Sequence, residues 1–388
     1  MDFGFSPEQD AIREAVLRLC EGFDASYWLE RDRLGGFPED FHAAVARDGW
    51  LGIAMPQRYG GAGLGIVEAA LMMQAVSESG AGYSGASAIH MNIFGLNPVV
   101  VFGSEEQKQR WLPPLIRGEE KACFAVTEPN AGLNTARIET VARREGDRYV
   151  LRGRKIWIST AQVSQRMLIL ARTQPLDTVA KPTQGLSLFY TALDRQFVEV
   201  REIEKMGRKA VDSNQLFIDG LEIPVENRIG EEGRGFEYIL HGMNPERILV
   251  GAEAVGVGRA ALRRAAAYAK ERIVFDRPIG MNQGVQHPLA ESWMELEAAN
   301  LMTFKAATLY DQGKPCGAEA NSAKYLAGEA GFKACQTAVL THGGFGYAKE
   351  YHVERLFRES MLFRIAPISM QMVKSFIGEK VLGLPKSY

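Results

Sequence analysis

The periodicity of the apolar residues changes twice along the 388-residue chain, and this pattern constrains the fold more than any other feature. In the first and last thirds, apolar residues recur at the spacing of amphipathic helices. In the middle third they alternate as in β-strands, and Pro, Gly and Asp separate the runs. We therefore expect a helical domain over residues 1–122, an antiparallel β domain over residues 123–235 and a helical domain over residues 236–388.

Two local patterns refine this expectation. In the middle domain, the run from Arg148 to Ile158 predicts a hairpin that turns at Gly153. In the last domain, long amphipathic segments with short connections predict an antiparallel four-helix bundle. The four segments cover residues 246–272, 287–312, 317–341 and 353–382.

Charge and composition exclude several classes of partner. Lys plus Arg number 45 against 47 Asp plus Glu, which leaves a net charge of -2 and no basic field for nucleic acid. No apolar run reaches the roughly 20 residues of a membrane span, and the acidic start lacks the pattern of a secretory signal. We expect a soluble cytoplasmic protein with no nucleic-acid partner and no membrane span.

Cysteine and histidine spacing predicts no metal site. The four cysteines contain no C-x-x-C pair, so we expect buried, reduced thiols. The six histidines show neither H-x-x-x-H nor H-E-x-x-H spacing. The segment Gly256 to Ala261 matches G-x-G-x-x-A, but it lies within a helical pattern, where small residues favour close helix packing over dinucleotide binding.

Five short motifs occur in the order in which one enzyme family carries them, from near residue 6 to near residue 384. They are Tyr59 to Gly63 (Y-G-G-A-G), Ala122 to Gly132 (A-C-F-A-V-T-E-P-N-A-G), Lys155 to Ser159 (K-I-W-I-S), Arg272 to Phe275 (R-I-V-F) with Gln283, and His342 to Tyr347 (H-G-G-F-G-Y). By these motifs the chain resembles the acyl-CoA dehydrogenase family.

The resemblance implies an α+β multidomain protein of acyl-CoA dehydrogenase-like fold, with an N-terminal all-α domain, a central antiparallel β domain and a C-terminal four-helix bundle. It implies an FAD-dependent oxidoreductase of fatty acid metabolism that removes an α-proton and a β-hydride from an acyl-CoA thioester. It also implies a homotetramer, built as a dimer of dimers, that passes electrons to an electron-transferring flavoprotein.

The family's cofactor-binding positions carry over residue by residue. Trp157 would cover one face of the isoalloxazine ring and Ser159 would bond its N5 side. Arg272, Phe275 and Gln283 would reach the FAD from a neighbouring subunit. The full set is Phe124, Val126, Thr127, Gly132, Trp157, Ser159, Arg272, Phe275, Gln283, Gly343, Gly344, Ser369 and Gln371.

The C-terminal E-G-T, whose glutamate is the catalytic base in most of the family, is absent from this chain. The register from Arg358 places Pro367 at the position of that glutamate, and Pro367 also lacks the backbone N–H that would help bind the thioester carbonyl. Some members carry the base at the start of the first bundle helix, where this chain has Asn244-Pro245-Glu246-Arg247. The resemblance therefore favours Glu246 as the base, with Asn244 and Arg247 as substrate-binding neighbours.

Alternatives remain open at this level. Asn244 as N-cap, Pro245 in the first turn and Glu246 beside the helix dipole are also explained by helix formation alone. Trp157 is equally compatible with a place in the core of the sheet. For the whole chain, a flavoenzyme of this fold with different chemistry, such as a desulfinase-like or oxygen-using member, and a non-catalytic FAD- or acyl-CoA-binding protein are the rivals.

Overall fold

The N-terminal part of the chain is helical, as predicted. The computed structural model describes residues 4–387, except for the side chains of residues 94 and 95. Helix α1 begins with the capping box of Ser6 and Gln9, in which each side chain accepts the other's backbone N–H. The helices are α1 Pro7–Glu21, α2 Ala25–Leu34, α3 Glu39–Arg47, α4 Ile66–Val76, α5 Gly82–His90, α6 Asn97–Phe102 and α7 Glu105–Ile116.

The middle part forms an eight-stranded sheet. Its strands are β1 Ala122–Ala125, β2 Val141–Glu145, β3 Arg148–Ser159, β4 Arg166–Arg172, β5 Leu186–Ala192, β6 Val198–Glu202, β7 Ser213–Pro224 and β8 Arg228–Ile229. The order is β6-β7-β3-β2-β4-β5-β8, with β1 beside β4. The pairs are antiparallel as expected, except that β4 runs parallel to β1 and, at one residue pair, to β2.

The predicted hairpin at Gly153 is wrong. Strand β3 runs unbroken from Arg148 to Ser159, and its hairpin with β2 turns at Gly146, where φ is +64°. Gly153 is required for another reason: a Cβ at this position would lie only 2.4 Å from the hydroxyl oxygen of Thr140, so a larger residue would clash. The glycine thus permits close packing inside a strand and does not mark a turn.

The C-terminal part is a helical assembly with three long members. Its helices are α8 Gly235–His241, α9 Met243–Glu271, α10 Gln283–Asp311, α11 Gly317–His342, α12 Val353–Ser360 and α13 Met370–Phe376, and a small hairpin of β9 Ile273–Val274 and β10 Arg277–Pro278 joins α9 to α10. The first three predicted bundle helices are confirmed. The fourth, predicted as continuous over 353–382, is wrong: α12 ends at Ser360 and the α-helical conformation resumes only at Met370. The interruption contains Pro367, which cannot donate a backbone hydrogen bond.

Helix α9 lies at the centre of the helical region and packs against α4, α5, α10, α11 and α12. Close approach depends on small residues: a Cβ on Gly256 would lie 2.5 Å from the backbone oxygen of Gln74, and one on Gly258 would lie 2.6 Å from Leu296. The G-x-G-x-x-A segment is therefore a helix-packing surface, as its position in a helical pattern predicts.

One helical run, Ile66–Phe102, is long and apolar enough to span a membrane by length and composition alone. Its most apolar 18-residue window is 69% buried inside the protein. The burial by neighbouring helices accounts for the apolar character of this run.

We predict that Gly256→Ala destabilises the protein by about 1–3 kcal/mol, because the added methyl group forces α9 away from α4. Unfolding in urea measures the change in free energy. Gly284→Ala in α10 is the matched control, since a Cβ there meets no atom within 4 Å and alanine is the better helix former. Equal unfolding free energies for the two variants would contradict this account of helix packing.

Candidate active site

A buried lysine holds the two strands that carry the first group of predicted cofactor residues. Lys155 is 0% exposed, and its Nζ donates to the backbone oxygens of Val126 at 3.0 Å and Leu170 at 2.8 Å and to Glu128 Oε1 at 2.8 Å. Desolvation lowers the pKa of Lys155 to about 8, partly offset by Glu128. The interaction fixes the end of β1 against β3.

Trp157 lies at an irregularity within β3. The register of β3 with β7 is irregular between Lys155 and Ile158, and Trp157 has a φ of +61°. Its side chain is 56% exposed, so its interpretation as a core residue of the strand is excluded. Next to it, the N–H of Ile156 donates to the backbone oxygen of Thr127 at 2.9 Å. The strand irregularity thus presents an indole face beside Thr127, and irregularities of this kind commonly occur next to active sites.

Arg208 connects this wall to the N-terminal helices. Its guanidinium donates to the hydroxyl oxygens of Ser159 at 3.0 Å, Ser213 at 2.8 Å and Ser87 at 2.6 Å. Arg208 is 8% exposed and adopts a φ of +58°, in the left-handed region. Because Ser159 accepts from Arg208, its own hydroxyl proton is available for another acceptor.

Glu246 belongs to a buried polar group with His90 and Glu253, two residues that the sequence patterns did not select. Its Oε2 lies 2.6 Å from Nε2 of His90 on α5, and Nδ1 of the same ring lies 2.7 Å from Oε1 of Glu253. Glu246 and Glu253 are seven residues apart on α9, which places both on one face of the helix. The exposed fractions of the three side chains are 12% for Glu246, 9% for His90 and 0% for Glu253.

The burial and charges of this triad determine its protonation. Desolvation disfavours a charged imidazole, but the two carboxylates outweigh it and raise the pKa of His90 well above its usual value. Burial raises the pKa of Glu253, and the charge of His90 opposes that shift. The raised pKa of His90 favours a protonated ring that donates to both Glu246 and Glu253.

Asn244 and Arg247, the predicted substrate-binding neighbours, interact with each other. Arg247 donates from a terminal nitrogen to Oδ1 of Asn244 at 3.1 Å, and its Nε is buried without a partner within the described part of the chain. The prediction of Asn244 as N-cap is wrong: α9 begins at Met243, its cap position is Gly242, and Asn244 already lies in the first turn. The side chain of Asn244 therefore accepts a hydrogen bond from Arg247 and does not cap the helix.

Lys324 connects the C-terminal segment around Pro367 to this region. This lysine on α11 is 1% exposed, and it donates to the backbone oxygen of Ile368 at 2.7 Å. Desolvation, together with the nearby charge of Arg247, lowers the pKa of Lys324 to about 8. Ser369 caps α13 by accepting from the N–H of Met372 at 3.3 Å, and Gln371 is exposed on that helix.

The second group of predicted cofactor residues lies where α9 ends, α10 begins and α11 ends. A cavity of about 510 Å³ is lined there by Arg272, His342, Gly343 and Gly344. The Arg272 guanidinium lies 5.5 Å from the centre of the Phe345 ring. Phe275 is 94% exposed, and Gln283 is also exposed at the first residue of α10.

These residues fit a flavin dinucleotide. A Cβ on Gly343 or Gly344 would meet no atom within 4 Å, so the backbone there is open to a ligand, and Arg272 supplies a cation for a pyrophosphate. At the other wall, Phe124 is half-buried, Val126 is buried and Gly132 is exposed. The exposed indole of Trp157 offers a flat surface for a ring system.

Sequence reasoning missed His90, Glu253, Arg208 and the Lys155–Glu128 pair as parts of the site. The seven-residue spacing of Glu246 and Glu253 was a usable signal, because it predicts a shared helix face. His90 lies 156 residues from Glu246 in the chain, and no local pattern connects them.

Comparisons with known proteins agree with this architecture. Family models match residues 6–119 (acyl-CoA dehydrogenase, N-terminal domain), 123–221 (middle domain) and 233–382 (C-terminal domain). Acyl-CoA dehydrogenase fadE12 of Mycobacterium bovis is 37% identical and is aligned over 99% of this chain and 98% of its own.

Two solved structures show the same fold. Butyryl-CoA dehydrogenase from Megasphaera elsdenii has a TM-score of 0.93 and 28% identity, covering 98% of this chain and 100% of its own. The FAD complex of PigA has a TM-score of 0.93 and 26% identity, covering 99% and 100%. The protein is thus a flavin-dependent oxidoreductase of three-part helix–sheet–helix architecture. It belongs to the acyl-CoA dehydrogenase family, and its cofactor is FAD.

We predict that Lys155→Met destabilises the protein by about 3–5 kcal/mol, because the Glu128 carboxylate stays buried without its cation. Thermal and urea unfolding of the FAD-loaded protein measure the loss. The double variant Lys155→Met with Glu128→Gln removes the unpaired charge, and we expect it to recover part of the lost stability. A double variant no more stable than the single one would show that strand packing, and not the charge, dominates.

Proposed function

We propose that this acyl-CoA dehydrogenase uses Glu246 to abstract the α-proton of its thioester substrate while the β-hydride goes to N5 of the flavin. The product is a 2,3-enoyl-CoA. One observation carries the proposal: Glu246 is a nearly buried carboxylate, 12% exposed, with only one of its oxygens engaged by His90. The other oxygen is available to a substrate proton, at the position where some family members carry the base.

A continuous set of contacts joins this carboxylate to the proposed flavin wall. Ser159, the residue proposed at the N5 side, is bonded to Arg208, and Arg208 is bonded to Ser87. Ser87 lies one turn before His90 on α5, and His90 contacts Glu246. The base and the hydride acceptor must face the same substrate from opposite sides, and this chain of residues brings the two together.

The proposed cofactor contacts divide between the two groups described above. Trp157 and Ser159, with Phe124, Val126, Thr127 and Gly132, would hold the flavin ring and its neighbouring atoms. Arg272, Gly343 and Gly344, with Phe275 and Gln283 from a neighbouring subunit, would hold the pyrophosphate and adenosine. Ser369 and Gln371 are proposed as contacts from the C-terminal segment. FAD supplies the hydride acceptor when bound.

The substrate class we propose is a short or branched acyl group. A cavity of about 170 Å³ lies beside Pro245, the neighbour of Glu246. Apolar Ile93, Leu96 and Val100 line it together with the polar residues Asn97 and Asp311. For comparison of size, a cavity of about 150 Å³ accommodates benzene. This volume favours a compact acyl chain over a long one.

Self-association and the electron acceptor complete the proposal. Large apolar side chains are exposed near the second cofactor group, among them Phe275, Met281, Leu340 and Tyr347. Exposed apolar patches of this kind commonly mark protein–protein contacts. We propose a cytoplasmic homotetramer with electron-transferring flavoprotein as acceptor, in line with the family resemblance.

We predict that Glu246→Gln leaves FAD bound and lowers the rate of substrate-driven flavin reduction by about 10²–10⁴-fold, because the base is lost. An anaerobic titration with short, medium, branched and aromatic acyl-CoA thioesters, followed by flavin absorbance, measures the rate and identifies the substrate. Glu237→Gln, at an exposed carboxylate on α8, is the matched control and should reduce as the unmodified protein does.

Product analysis then separates the rival chemistries. A 2,3-enoyl-CoA supports the dehydrogenase reaction, whereas turnover without it would point to a different reaction at the flavin. Fast reduction that persists in Glu246→Gln would remove Glu246 as the base. Thermal stabilisation by thioesters without any flavin bleaching would support a binding protein that lacks catalysis.

A further inference from the structure

A buried histidine between two carboxylates goes beyond what proton abstraction by one glutamate requires. A single carboxylate in a dry pocket is a sufficient base, yet α9 carries a second one, Glu253, that is 0% exposed and cannot reach a substrate from its buried position. Its Oε2 has no hydrogen-bond partner within the described residues. A buried carboxylate that is only half satisfied is costly, so its presence calls for a physical explanation.

We propose that His90 and Glu253 are positioning residues for Glu246: Glu253 keeps His90 protonated, and His90 holds one oxygen of Glu246, so that the other faces the substrate as an ionised carboxylate. The inference rests on the proposed role of Glu246 as base. His90 and Glu253 lie far apart in sequence, and neither touches the substrate. They act on the reaction through Glu246.

The geometry supports this assignment directly. The two ring nitrogens of His90 point in opposite directions and meet carboxylate oxygens at 2.6 and 2.7 Å. A neutral imidazole donates from only one nitrogen, whereas a protonated one donates from both. Two acceptors at these short distances match the protonated ring, and the opposed directions leave no common point at which the three side chains could bind a metal ion.

The surrounding charges favour the same state. Arg208, in the loop between β6 and β7, places a positive charge near Glu253 and opposes the rise in the pKa of that carboxyl group. Tyr83 on α5 lies near the same groups and near Glu246. Arg247 on α9 acts on Glu246, and Glu359 on α12 reaches the region through Tyr83. A cation between the carboxylates removes most of the repulsion that two like charges on one helix face would otherwise create.

The arrangement has a functional consequence for pH dependence. Proton abstraction requires an ionised Glu246, so the rate of flavin reduction rises with pH through a midpoint. A protonated His90, hydrogen-bonded to Glu246, stabilises the ionised carboxylate, so the rate at acidic pH depends on the positive charge of His90. Removing the positive charge should therefore move the midpoint to higher pH and reduce the rate most strongly at acidic pH.

The test is the pH profile of anaerobic flavin reduction in the FAD-loaded Glu253→Gln variant. We expect the midpoint to rise by about one pH unit or more, which is about a tenfold lower rate on the acidic limb. Glu359→Gln is the matched control: it also replaces a fully buried carboxylate that supports α5, through the backbone N–H groups of Tyr83 and Ser84, but it does not touch His90. We expect its midpoint to be unchanged.

A second variant guards against simple loss of folding. His90→Phe combined with Glu253→Leu removes the fully buried carboxylate together with its cation, and Glu246 retains the nearby charge of Arg247. We expect the same upward shift of the midpoint. A shift below about half a unit in Glu253→Gln, or an equal shift in Glu359→Gln, would overturn the proposal and reduce the triad to a packing feature.

A measurement without turnover separates this inference from the proposed function. In protein with labelled histidines, we expect the His90 NMR signal to be that of a protonated ring at neutral pH, and to titrate at lower pH in Glu253→Gln than in the unmodified protein. A neutral His90 at pH 7 would overturn the inference even in an active enzyme. Failure of Glu246→Gln to slow flavin reduction would instead overturn the role of Glu246, whatever the state of His90.

Discussion

The burial of α9 on nearly all sides is the constraint from which the site follows. Five helices of the helical region pack against it, and its small residues allow their backbones to approach closely. An ionisable side chain on a buried face of such a helix loses most of its water and must find a partner. Glu246 and Glu253 find one in His90, and the helix thereby carries a charged cluster into an otherwise apolar interior.

The proposed site depends on contacts between the N-terminal helices, the sheet and the C-terminal helices. Local sequence patterns predict each of these parts, but not the contacts between them. The sheet supplies Trp157 and Ser159, the N-terminal helices supply Ser87 and His90, and the last part supplies Glu246. Arg208, in the loop between β6 and β7, joins the sheet to α5 through its three serine contacts. Catalysis requires that the reacting side chains are held within about half an ångström of their productive positions. Rigid elements with buried polar contacts supply that precision.

Sequence patterns predicted the helix–sheet–helix order, the three long bundle helices and the position of most motif residues, because these depend on local periodicity. The errors share a cause. Gly153 and Asn244 were assigned turn and cap roles from residue type, but their neighbours in space, Thr140 and Arg247, determine what each one does. The predicted fourth helix is interrupted between Ser360 and Met370, a segment that contains Pro367, so the local rule against proline was the better guide there.

The sequence by itself determined the family and the cofactor, and it singled out Glu246 as the proposed base, since recurrent motifs and residue spacing are properties of a linear chain. Only the tertiary structure decided that Trp157 faces outward, that Arg208 connects sheet and helices, and that His90 lies between two carboxylates. The physical reason is range: helix and strand periodicity act over a few residues. The energy of a buried charge depends on whichever groups folding brings next to it, here from 156 residues away.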